Sequence, residues 1–292
     1  VRILIGVDGS TRSERALRWG LWEARMQGAA VSVVHAFDAG VTGGTGDAAP
    51  DHASVRARVG HTVARVGRVT ATVPIDLDTV AVVGHHNVAE VLLRRSKSAD
   101  LVVVGARGRG GFAGLLLGGV SQQVAAYADV PVAVIPGTAS ADARDDLLFT
   151  HAMVVGVDGS DDATHALHWA VERAMVHGCP LTAMYVDPGT TGPPVSPGSI
   201  DAAILDGFRP MAPPGRPSVL GALAGMRTAG AAVRPVTTVG VPAQRLLERA
   251  AAEDALLVIG SRGAGGFPGL LLGSVGLQCL HHSRLPVVVV HR

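Results

Sequence analysis

Lysine is almost missing from this chain: Lys97 is the only one in 292 residues, and Ser96 precedes it. A P-loop sets the ammonium of a Gly-Lys-Ser or Gly-Lys-Thr lysine on terminal phosphates, and a protein kinase needs a strand lysine. Both classes are excluded. Cysteine is equally scarce. Cys179 and Cys279 lack paired metal-ligand spacing and read as ordinary packed thiols of a reducing compartment. Charge of either sign is not in excess, because 25 Lys and Arg face 24 Asp and Glu for a net charge of +1. A nucleic-acid or anionic-membrane partner calls for a broad basic field, so neither is expected. No apolar run exceeds strand length, and VRILIGVDGS opens directly on a strand rather than on a basic segment followed by a signal-like core. These features together predict a cytoplasmic protein.

What the chain does have is repetition. GARGRGGFAGLLLGG at 105–119 returns as GSRGAGGFPGLLLGS at 260–274, IGVDGS at 5–10 as VGVDGS at 155–160, and VPVAVIP at 130–136 as LPVVVVH at 285–291. Two copies of a unit far longer than a solenoid repeat indicate two similar domains in tandem. Their expected limits are 1–137 and 151–292, with 138–150 as linker. At 48% apolar residues the chain can bury two cores.

Each half alternates strand and helix patterns. In the first, ILIGV precedes a helix in which Ala16, Leu17, Trp19, Gly20 and Ala24 recur at helical spacing before Gly28. VSVVHAF, TVAVV, ADLVVVG and PVAVI read as further strands. Helices are expected over 53–70, over NVAEVLLRRSKS and over 119–128. Strands apolar on both faces between helices imply an α/β fold: two tandem doubly wound domains, each a five-stranded parallel sheet with helices on both faces. In the second half PMAPPGRPS at 210–218 interrupts the region of the second helix and reads as a loop.

Open parallel sheets bind ligands beyond the carboxyl ends of their strands, where strand order reverses. Asp8 and Asp158 close the first strand of each half, and each repeated loop follows the fourth. Gly105, Gly108 and Gly118, and likewise Gly260, Gly263 and Gly273, let backbone approach a ligand. Ser121 and Ser274 stand near the start of the next helix, where free N–H groups favour an anion. Strand, glycine loop and helix start together point to a nucleotide. The dinucleotide fingerprint fits poorly, since the first strand is followed by GVDGST.

The spacing G-x2-G-x9-G followed by Ser or Thr, after the fourth strand of a domain opening on V-D-G-S, resembles the ATP-binding universal stress protein family in its tandem form. The resemblance implies an adenine nucleotide alpha hydrolase-like fold and a ligand of ATP with Mg²⁺ on its phosphates. Carried onto the second half, it assigns Gly260, Gly263, Gly273 and Ser274, with Val275 and Gly276 following, to phosphate and ribose. Asp158, preceded by Gly156 and Val157, lies beside the adenosine, and Val186 touches adenine. In the first half it assigns Asp8 with Gly6 and Val7, then Ala36, Gly105, Gly108, Gly118, Val120 and Ser121. Gly119 stands where the pattern wants a hydroxyl, and Gly276 stands where the first half has Ser121, so each site lacks a different hydroxyl. Arg107 and Arg262 recur inside the loop, as phosphate contacts or as solvated side chains. Asp8 and Asp158 have a second reading as helix caps with Ser10 and Ser160.

No general base sits beside a nucleophile in the sequence, so no catalytic residue is assigned. His85-His86, His281-His282 and the His165, His168 pair lack partners at metal-ligand spacing, and no metal site is assigned. The expected function is a nucleotide-dependent stress-response switch. A slow ATPase or nucleotidyl-transfer enzyme and a nucleotide-free interaction protein remain the alternatives. The apolar strands PVAVI and PVVVV are candidates for a sheet edge, and the resemblance implies that they pair, between the halves and in a homodimer.

Overall fold

A computed structural model describes residues 1–38, 52–67, 74–82, 88–108, 117–137, 151–189, 223, 231–264 and 271–292. The linker 138–150, the proline-rich 210–218 stretch and His85-His86 lie outside the described residues, as do the middles of both glycine loops, 109–116 and 265–270.

The first half runs β1 (Arg2–Gly6), α1 (Thr11–Gln27), β2 (Ala30–Asp38), α2 (His52–Gly67), β3 (Ile75–Val82), α3 (Val88–Ser96), β4 (Leu101–Gly105), α4 (Gly119–Tyr127) and β5 (Val132–Ile135). The second runs β6 (Met153–Gly156), α5 (Asp161–His177), β7 (Leu181–Asp187), β8 (Val233–Val239), α6 (Pro242–Ala252), β9 (Leu256–Gly260), α7 (Ser274–His282) and β10 (Val287–Val290). The first-helix pattern holds in both halves for the same local reasons. Ser10 and Ser160 cap by accepting from the N–H of Ser13 and Ala163, and Gly28 and Gly178 end the helices at φ 61° and 62°, a left-handed turn that glycine makes without strain.

All ten strands form one sheet in the order β3-β2-β1-β4-β5-β10-β9-β6-β7-β8. Within each half the pairs are parallel; the halves join where β5 and β10 run antiparallel, Val287 opposite Val134 and Val289 opposite Val132. Period-two alternation divides the side chains between two cores. Ile3, Ile5, Leu101 and Val103 lie on the face of the sheet whose core also takes in Trp19 of α1, Val63 of α2 and Leu167 of α5. Leu4, Val102 and Val104 face the other way, with Leu92, Val124, Leu246 and Cys279 from α3, α4, α6 and α7. Both clusters run through the β5–β10 seam, so the two halves share their cores. Ala16, Leu17, Trp19, Gly20 and Ala24 are all buried on α1, as their spacing requires.

Two expectations change. Strand β3 begins at Ile75, ahead of the expected TVAVV, because at the sheet edge Ile75 and Leu77 alternate with Asp76 and Asp78 and no continuous apolar run is needed. The last strands pair with each other between the halves, as expected, and this bears on the homodimer. Each also has a parallel neighbour, β4 for β5 and β9 for β10, so neither keeps a free edge for the homodimer expected through them. The edges left are β3, carrying Asp76 and Asp78, and β8, carrying Arg234 and Pro235. Such residues discourage edge-to-edge pairing.

Candidate nucleotide site

In each half strand order reverses at the first strand. β1 lies between β2 and β4, and β6 lies between β7 and β9. Gly6, Val7 and Asp8 leave the carboxyl end of β1, with Ala36 near the end of β2 and Gly105 closing β4. Gly156, Val157, Asp158, Val186 and Gly260 do the same in the second half. Pairing extends just past the strands, since the N–H of Val7 donates to Val34 O and that of Val157 to Met184 O, each at 2.9 Å.

The two aspartates hold the crevice together. Asp158 Oδ1 accepts from the Ser160 N–H at 3.0 Å and from its hydroxyl at 2.6 Å, while Oδ2 accepts from the Ala264 N–H at 2.8 Å. Asp8 Oδ1 binds Ser10 in the same two ways. The serines are therefore the helix caps, and Asp158 braces its cap serine against the second glycine loop. A Cβ on Gly263 would sit 2.5 Å from Asp158 Oδ2, and one on Gly108 2.8 Å from Asp8 Oδ2, so a side chain at either position would have to push the carboxylate aside.

Both loops close at their base, where the Gly118 N–H donates to Ala106 O and the Gly273 N–H to Ser261 O, each at 2.7 Å. Each then enters a helix with no side-chain cap at Gly118 or Gly273. The first intrahelical bonds come from Gln122 and Leu277. The N–H groups of Gly119, Val120 and Ser121, and of Ser274, Val275 and Gly276, consequently have no partner within their helices. With the positive end of the helix dipole, they form a place for an anion.

The hydroxyls differ from the expected arrangement. Ser121 is buried, and its Oγ donates to Gly105 O at 2.6 Å, tying α4 to the end of β4. It faces the protein because its position on the first turn points toward the core side of the helix. Gly276 fills the corresponding place in α7, where a Cβ would lie 3.1 Å from Leu272 Cδ1. Ser274 is exposed at the helix start, whereas a Cβ on Gly119 would have no heavy atom within 4 Å.

Asp162 and Ser261 were not singled out in the sequence. Asp162, 4% exposed on the first turn of α5, accepts through Oδ2 from Ser261 Oγ at 2.8 Å and from Arg262 N and Nε at 3.1 Å each. Burial pushes its carboxyl up, but the hydrogen bonds from Arg262 and Ser261 outweigh burial and hold it below its ordinary range. Arg262 is thus held by a carboxylate, while Arg107 has no such partner among the described residues. The available signal was the departure from the internal repeat, Arg12 and Ala106 standing in the first half where Asp162 and Ser261 stand in the second. Among the described residues no three His, Cys, Asp or Glu side chains cluster as for a metal, and no helix is long and apolar enough to cross a membrane.

A parallel sheet covered on both faces, occurring twice, with a closed glycine loop and an uncapped helix at each reversal of strand order, defines a tandem doubly wound α/β protein. The profile of the universal stress protein family matches residues 1–136 and 150–291. A universal stress protein of Mycolicibacterium smegmatis is 33% identical over 299 residues, covering 99% of this chain and 96% of its own. One from Mycobacterium tuberculosis is 31% identical over 308 residues, covering 98% and 94%. The crystal structure of a universal stress protein from Archaeoglobus fulgidus DSM 4304 shares the fold, with a TM-score of 0.67 at 21% identity over 100% of this chain and 96% of that one. The chain belongs to the universal stress protein family.

Proposed function

We propose that this chain binds ATP, with Mg²⁺ on the phosphates, in both halves and acts as a nucleotide-dependent switch in the stress response. The observation that carries the reading is the pair of base-closed loops delivering helix N–H groups without intrahelical partners to the carboxyl edge of the sheet. Phosphates would lie on the N–H groups of 119–121 and 274–276, and the adenosine between Asp8 and Ala36 or between Asp158 and Val186. A switch requires that ATP bind one conformation or association state better than another. The domains of that switch are 1–137 and 151–292, in a cytoplasmic protein.

Binding is favoured over hydrolysis by the engagement of the carboxylates. A general base needs a free lone pair aimed at the attacking water. Asp158 instead uses both oxygens on Ser160 and the loop backbone, and Asp8 holds Ser10 through Oδ1. A second copy of the chain would have to dock elsewhere than on β5 and β10.

The test is extraction of nucleotide from the purified, heat-denatured protein, with its stoichiometry. ATP approaching two per chain, lost when Gly108→Ala and Gly263→Ala are combined, supports the reading. No bound nucleotide together with no thermal shift on adding Mg-ATP overturns it.

A further inference from the structure

The two loops sit on different foundations. At the second, Asp162 pins Ser261 and both the backbone and side chain of Arg262, while Asp158 pins Ala264. Gly260 is pressed against the start of α5, where a Cβ would lie 2.7 Å from the carbonyl carbon of Asp162. At the first, Arg12 replaces Asp162 and Ala106 replaces Ser261, so the carboxylate and the hydroxyl of the pin are both gone. The fit is looser as well. The corresponding Cβ on Gly105 would be 3.6 Å from Arg12 O. The Arg12 chain is exposed and lies along Gly137, just past β5, where a Cβ would meet its Cδ at 2.8 Å. Neither Arg12 nor Arg107 pairs with a carboxylate among the described residues. Exchanging Asp162 for Arg12 changes the local charge by two units, from −1 to +1, and removes the carboxylate that pairs with the loop arginine in the second half.

These differences act on a ligand in two ways. A loop already held in place loses less conformational freedom on binding. Cations not paired with a carboxylate attract phosphates over a range set by ionic strength, and more strongly as phosphate charge increases.

Resting on the nucleotide reading above, we propose that Asp162 is a positioning residue that makes the two sites unequal. The second site is preorganised, tight and weakly salt-dependent. The first site draws its ligand by the charge of Arg12 and Arg107, discriminates strongly for triphosphate over monophosphate, and weakens steeply with salt.

Calorimetric titration of the full chain with ATP and with AMP, each at low and high sodium chloride, tests this. The expected wild-type result is two classes of site, the tighter one with the shallower salt dependence. Asp162→Asn keeps the acceptor oxygen but releases the Arg262 charge, and should convert the tight class to a steeply salt-dependent one whose ATP-to-AMP affinity ratio rises on the order of tenfold. The double substitution Arg12→Asp, Ala106→Ser transplants the pin and should produce two shallow classes, which keeps the test available if the Asp162 variant fails to fold. Two wild-type classes with equal salt dependence, or ratios untouched by both variants, overturn the inequality while leaving nucleotide binding intact. Absence of any binding to the wild type overturns the nucleotide reading and this one with it.

Discussion

His177 Nε2 lies 2.9 Å from Glu23 Oε2, and both side chains are only 1% exposed. Glu23 belongs to α1 of the first half and His177 ends α5 of the second, so this contact spans the two halves beneath the shared sheet. Around it Arg173 Nε stands 3.9 Å from Glu23 Oε1, Gln27 donates to the same oxygen, and the Trp22 ring stacks on His177 at 4.8 Å between centroids. Truncating Glu23 would leave Arg173 and His177 buried without the carboxylate beside them. Glu23→Ala is expected to lower stability by about 3 kcal/mol. Chemical denaturation of Glu23→Ala, His177→Ala and the double variant measures the coupling. Additive losses would deny that the pair ties the halves together.

The glycine substitutions separate close packing from open space. Gly263→Ala drives a methyl to 2.5 Å from Asp158 Oδ2 and Gly108→Ala to 2.8 Å from Asp8 Oδ2. Each should cost about 1–3 kcal/mol and displace its loop from the aspartate. Gly119→Ser meets no neighbour within 4 Å. It should leave the melting temperature unchanged while adding to the first half the exposed hydroxyl that Ser274 supplies in the second. Thermal melts of the three variants check the order, and a Gly119→Ser protein as damaged as Gly263→Ala would contradict it.

Acid should release the second loop before it unfolds the protein. The Asp162 carboxyl is held below its ordinary value of 3.8, so its contribution to stability is fully present above that value and is lost as pH falls through the lower folded-state value. The stability gap between wild type and Asp162→Asn should therefore stay level from about pH 5 to pH 8 and close below about pH 4. A gap that widened on acidification would reverse the sign and reject the assignment.

Neither thiol should react in the folded protein. Cys279 is fully buried and its thiol is pushed up to about 12; burial also raises Cys179. A disulfide reagent at mild alkaline pH should titrate neither cysteine until denaturant is added, and then both. Rapid labelling of the native protein would mean that the core between α7 and β9 opens.

Much of this architecture was legible because it rests on local chemistry and on repetition. Ser10 and Gly28 delimit α1 through caps that need only neighbouring residues, and the apolar runs of β1, β4 and β5 are what strands buried on both faces require. The duplicated glycine spacing likewise placed a loop after the fourth strand of each half. Less legible was β3, whose edge position permits Asp76 and Asp78 to interrupt its apolar pattern.

The order of residues by itself determined two doubly wound halves, their capped first helices and the glycines at each crevice, because period, capping and close backbone approach depend on residue type at short range. Only the tertiary structure decided that β5 and β10 pair with each other, that Ser121 turns inward to Gly105, that Glu23 meets His177, and that Asp162 holds Arg262. Each of those joins residues distant in the chain, and sequence spacing carries no direction for a side chain until the sheet has set the two elements side by side.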